Sequence, residues 1–198
     1  YDIHERLVGS EMCIRDRMII ASQKKKENIA EYLLYMWQIE DIIRAYGLDI
    51  DQIQKHIINS YDLPEEQKKS MREWYESLID MMHSEGVEKK GHLQLNKNVL
   101  IDLTDLHLRL LKSTREPFYG AAFFKTLPYI VELRAKSGEG KTGELETCFN
   151  ALYGVLLLRL QKKEIQSDTL KAIQQISTFL SILAEKYKQE KAGELELE

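Results

Sequence analysis

Apolar residues recur along this chain every three or four positions, and no stretch alternates apolar with polar as a strand would. The pattern predicts an all-α protein of about seven helices, mostly antiparallel to their chain neighbours, in a single-domain bundle. The first helix is predicted from about Lys24 to Tyr46, with Ile29, Leu33, Met36, Ile39 or Glu40, Ile43 and Tyr46 on one face and Gly47 as its stop. A short second helix follows over about Asp51–Tyr61, capped by Asp49, with Ile50, Ile53 and Ile57 inward. Pro64 opens a third, reaching Glu85 with a stripe of Met71, Trp74, Tyr75, Leu78, Ile79 and Met82, and Gly86 ends it.

Leucines 100, 103, 106, 110 and 111 mark a fourth helix over about Leu93–Lys112. The fifth, about Pro117–Lys136, is aromatic and holds Pro128, which predicts a kink or a break there. A glycine-rich loop, 137–143, leads to a sixth helix over about Glu144–Lys163. Its residues Leu152, Val155, Leu156, Leu157, Leu158 and Leu160 make it apolar nearly all round, the pattern of a central, buried helix. Ser167 or Asp168 caps the seventh, whose seam is Leu170, Ile173, Ile176, Leu180, Leu183 and Tyr187. That seam could close within the chain or join two copies.

The start of the chain stands apart from this pattern. Leu7-Val-Gly-Ser-Glu-Met-Cys-Ile-Arg-Asp-Arg17 resembles the translation of a transposase-style sequencing adaptor, and Tyr1-Asp2-Ile3 fits the adaptor's outer arm apart from Asp2. Residues 1–17 are therefore set aside as adaptor-derived. The expected organisation is a helical domain over 18–192 followed by a charged tail, 193–198.

Charge and cysteine content narrow the classes. With 28 Lys+Arg against 32 Asp+Glu the net charge is −4, which gives no basic footprint for nucleic acid. No apolar run approaches the ~20 residues of a membrane span. Of two cysteines, Cys13 lies in the leader, so Cys148 has no disulfide partner in the domain, and a reducing, cytoplasmic setting is expected.

Several groups of residues could carry chemistry. Ala135 to Thr142 fits a relaxed phosphate-loop pattern, with Lys141 and Thr142 in the reactive places, but a helix rather than a strand leads into it. Asp80 and His83 share a helical face with Glu76, although the second copy of the motif that di-metal bundles need is missing. No metal and no cofactor are expected. Trp37, Glu40, Asp41 and Arg44 on the first helix form a candidate binding surface, mixing an aromatic ring with paired charges. Asp105, His107, Tyr153 and Arg159 form a candidate pocket within the bundle. Either His107 or Arg159, if buried, needs a polar partner, and a structural one is the commoner outcome. Cys148, among Leu145, Phe149 and Leu152, reads as a core residue rather than a nucleophile.

The segments Lys-Glu-Asn-Ile-Ala-Glu-Tyr-Leu-Leu-Tyr-Met-Trp-Gln-Ile-Glu-Asp (26–41) and Glu-Leu-Glu-Thr-Cys-Phe-Asn-Ala-Leu-Tyr-Gly-Val-Leu-Leu-Leu-Arg-Leu (144–160) resemble a domain-of-unknown-function family of Bacteroidetes type. The resemblance runs from Met18 to about Lys188 and implies an all-helical bacterial cytoplasmic protein, with no catalytic residues to transfer. The reading that follows is a non-enzymatic helical binding or interaction module, acting on a protein partner or as a homodimer, with neither nucleic acid nor membrane as target. Its alternative is a small-molecule binder or enzyme with its pocket inside the bundle.

Overall fold

The structure is a computed structural model that describes residues 17–138 and 140–197, with side chains from residue 21 onward. Residues 1–16, which hold nearly all of the adaptor-like leader, and Glu139 lie outside the described residues. The described chain is all-α. Its helices are α1 (Arg17–Glu27), α2 (Ile29–Ala45), α3 (Ile50–His56), α4 (Glu65–Ser84), α5 (Gln94–Lys112), α6 (Pro117–Ser137), α7 (Glu144–Leu160) and α8 (Ser167–Lys191), with a 3-10 turn at Ile58–Ser60.

Most helix ends lie where the sequence puts them, for the physical reasons it suggests. Asp49 caps α3 by accepting the N–H groups of Asp51 and Gln52 at 2.9 and 3.2 Å. Gly47, Gly86 and Gly138 take the left-handed conformation that closes α2, α4 and α6. The predicted first helix is divided. Asn28 leaves the helical path, and its Oδ1 accepts the Ala30 N–H at 3.1 Å. A short amide side chain thus replaces a helical hydrogen bond with a cap, and α1 and α2 become separate helices. Pro128 does the opposite of one expectation: α6 runs through it without a break.

The chain forms two compact units. Of the described residues, the first takes in those up to Lys26 together with Glu31–Lys97, and the second Glu27–Ala30 together with those from Asn98 onward. In the first, Leu33, Trp37 and Ile43 of α2, Ile53 and Ile57, and Tyr75 and Met82 of α4 are buried. In the second, α6, α7 and α8 pack on one another. Glu116 pairs with Lys186 at 2.7 Å and Thr126 with Gln175 at 3.1 Å, so α6 and α8 run antiparallel. The α8 seam, Ile173, Ile176, Leu180, Leu183 and Tyr187, is buried within this unit, while Leu170 at its start is exposed. The seam therefore offers nothing to a second copy.

The expectation of a fully buried α7 needs correcting. Leu145, Thr147, Cys148 and Phe149 are buried, but beyond them only Val155 is, and Leu152, Leu156, Leu157, Leu158 and Leu160 are half-covered. An all-round apolar helix demands cover on every side, and the second half of α7 is covered only in part. Truncation should reveal the difference. Phe179→Ala, at a fully buried α8 position, should lower unfolding free energy by about 3–5 kcal/mol. Leu157→Ala should lower it by about 1 kcal/mol or less; equal losses in urea titrations would contradict this account of α7.

Candidate functional site

The four residues of the candidate surface come together, with Trp37 and Glu40 turned inward and Asp41 and Arg44 half-buried at their edge. Trp37 and Glu40 sit one turn apart on α2, and both are buried. Glu40 Oε1 accepts the Leu93 N–H at 2.9 Å and the Asn96 amide at 2.6 Å, and His92 Nδ1 lies 2.6 Å from Oε2. These donors cluster where α5 begins, so the carboxyl takes the Leu93 N–H just ahead of the helix together with two side chains beside it. The His92 ring stacks on Trp37, with centroids 4.1 Å apart and planes within 11°. Arg44 pairs with Asp41 at 2.9 Å and donates to the carbonyls of Val87 and Gly91. Of this quartet, Glu40 and Arg44 hold residues 87–96 directly, Asp41 steadies Arg44, and Trp37 contributes its ring to His92. A surface mixing Trp and Arg has become an internal clamp.

The candidate pocket does not assemble. Asp105 is exposed and pairs with Arg109 at 2.8 Å, Arg159 is exposed, and Tyr153 is half-buried. Only His107 is interior. Its Nδ1 lies 2.6 Å from the Tyr119 hydroxyl, and its Nε2 has no hydrogen-bond partner among the described residues. Phe123 and Phe179 meet the imidazole edge-on at 4.7 and 5.9 Å. Burial in this aromatic setting pushes the imidazole pKa below its ordinary value, against a smaller upward pull from Glu144. Burial raises the Tyr119 hydroxyl as well. The neutral pair is a buried structural contact.

The remaining motifs resolve similarly. Burial pushes the Cys148 thiol up to about 12, so it is not a nucleophile near neutral pH. His83 faces Glu88 at 3.3 Å, and Glu76 takes the Arg72 guanidinium at 3.0 Å. Among the described residues no three His, Cys, Asp or Glu side chains gather to hold a metal ion. The phosphate-loop pattern starts in the last turn of α6 and ends just before α7, without a strand.

What the sequence reading did not single out is the outer side of α6. Tyr119, Phe123, Thr126 and Ile130 form its buried side. Opposite them, Pro117, Ala121, Phe124, Pro128, Val131 and Ala135 are all exposed. Phe124 is 65% exposed and Val131 56%, and at the edge of the stripe Phe118 is 88% exposed. The spacing 4-3-4-3-4 is that of a helix–helix seam. An aromatic core face drew attention to one side, and the weak amphipathicity of α6, apolar on both sides, was the available signal. His92 and Asn96 also went unremarked. The one hint was the place of Glu40 within an otherwise apolar stripe.

Residues 18–194 match the model of a family described as a domain of unknown function, DUF4924. The chain belongs to the DUF4924 family. No curated protein and no solved structure matches the chain. No helix of the described DUF4924 residues is long and apolar enough to cross a membrane.

Two measurements check this account of the DUF4924 polar residues. Glu40→Ala strands two buried donors and the half-buried His92 imidazole and should cost about 3–5 kcal/mol of stability, whereas Asp105→Ala should stay within about 0.5 kcal/mol; comparable losses would place Glu40 outside the fold's support. The second concerns pH. The His107 pKa is depressed from 6.5 in the folded chain, so below about pH 6.5 the unfolded chain takes up the proton first. Stability should then fall with acidification by up to about 1.4 kcal/mol per pH unit more than in His107→Gln. Parallel pH profiles of the two proteins would show that His107 titrates freely when folded.

Proposed function

We propose that this DUF4924 domain is a non-enzymatic interaction module of the bacterial cytoplasm that engages a protein through the outer face of α6. The observation that carries the reading is that all six apolar residues at helix-seam spacing on α6 are exposed. Soluble proteins seldom leave so regular an apolar row uncovered unless it meets another surface. The polar residues that could have served chemistry are spent on structure. Glu40 and Arg44 hold residues 87–96, and His107 sits in an aromatic core. The alternative, a ligand or enzyme pocket around Asp105, His107, Tyr153 and Arg159, is weakened because Asp105 and Arg159 face solvent. The bacterial setting rests on the resemblance of segments 26–41 and 144–160 to a Bacteroidetes-type family, and a domain whose sole cysteine is a buried free thiol suits a reducing one.

A photo-reactive amino acid at position 124 tests the proposal in cells expressing the chain. Position 188, exposed on α8, is the control. Protein adducts should form at 124 and not at 188. Residues 1–17, read as translated adaptor, should be dispensable, so a chain opening at Met18 should give the same adducts. Absence of a protein adduct at 124, or equal yields at both positions, would overturn the proposal.

A further inference from the structure

We propose that the occupant of the α6 outer face is a second copy of this chain, docked helix against helix in antiparallel sense. The inference rests on the interaction reading above and names its partner. The seam residues repeat at 4-3-4-3-4 spacing from Pro117 to Ala135, the spacing by which two helices interlock at a shallow angle. A partner of that form is a helix with a matching row, and α6 is such a helix.

Charge favours a copy of the same helix. The edge of the row carries Phe118, Lys125 and Glu132 at seven-residue intervals, one apolar, one basic and one acidic. A twofold axis crossing α6 between Pro128 and Tyr129 sets Lys125 of each copy opposite Glu132 of the other. Self-complementarity of this kind is what an isologous interface requires, since each contact occurs twice. Glu132 already pairs with Lys136 at 2.6 Å in its own helix. Lys125 makes no ion pair among the described residues, although its row sits beside two exposed phenylalanines. A strongly acidic or strongly basic partner would satisfy only one of the two edge charges.

Size sets the strength. Two phenylalanine rings, a valine, two prolines and two alanines offer ~500 Å² per copy, or ~1,000 Å² in total, the low end of specific interfaces. The dimer is therefore weak and reversible rather than obligate.

Sedimentation equilibrium of the full chain tests this across ~1–100 µM. The wild type should shift from monomer towards dimer mass as concentration rises. Phe124→Asp and Val131→Asp, both at exposed positions, should remain monomeric with unchanged helical circular dichroism. Lys125→Glu should weaken dimerisation by about three- to tenfold. The double variant Lys125→Glu/Glu132→Lys should recover the wild-type constant, a rescue that only pairing between these two positions produces. A dimer indifferent to Phe124→Asp, or a double variant no better than Lys125→Glu alone, would overturn the proposal. A chain monomeric at ~100 µM whose position 124 captures a different protein overturns the second copy and leaves the interaction module standing. A monomeric chain with no adduct at 124 overturns both.

Discussion

A single buried carboxyl group, that of Glu40, sets the arrangement of the first unit. Moving such a group out of water is unfavourable unless donors surround it. Here the donors come from a short run of chain: the Leu93 N–H, the Asn96 amide and the His92 imidazole. The run 87–96 therefore cannot drift from α2 without stranding four polar groups at once. Arg44 holds the preceding turn through the Val87 and Gly91 carbonyls. Trp37 covers the His92 ring. What in the sequence is a scatter of aromatic and charged residues on one helix is, in three dimensions, a device that fixes where α5 starts.

The second unit follows another logic. Its centre is aromatic, with Tyr119, Phe123 and Phe179 around a single imidazole. One hydrogen bond, His107 to Tyr119, satisfies part of the polar content, and desolvation holds the imidazole neutral. Such a centre is held by packing, so its tolerance is to shape rather than to charge. Most charges of this unit lie on its surface, as in Arg109 with Asp105 and Arg115 with Glu196. Surface pairs of this kind contribute little each.

Much of the fold is legible in the sequence because helix ends are local events. Asp49, Gly47, Gly86 and Gly138 act through their own side chains or backbone freedom, and their neighbours in sequence suffice to read them. Asn28 is local too, but its competition with helical propensity on both sides could have gone either way. Cover is not local. Periodicity says that residues 145–160 are apolar on every side, yet whether Leu157 is buried depends on what packs there. The same limit hid the sense of the Trp37–Arg44 cluster: spacing places these residues on a common face and is silent about residues 87–96, some 50 positions away. His107 was readable as a buried group needing a partner, while Tyr119 as that partner required knowing how α5 meets α6.

Pro128 gives the α6 row a property of its own. Lacking an N–H, it leaves the Phe124 carbonyl without its usual intrahelical donor, and proline inside a helix is disfavoured by about 3 kcal/mol. A segment so handicapped does not hold a helix by itself; the inner side, anchored by Tyr119, Phe123 and Ile130, imposes it. The outer row is thus displayed only while the unit beneath it is folded. As a free peptide the segment would lose its seam, and a misfolded or nascent chain would present no ordered adhesive face. Any recognition through the proposed row would thereby be conditional on conformation, an epitope of the folded state rather than of a linear fragment.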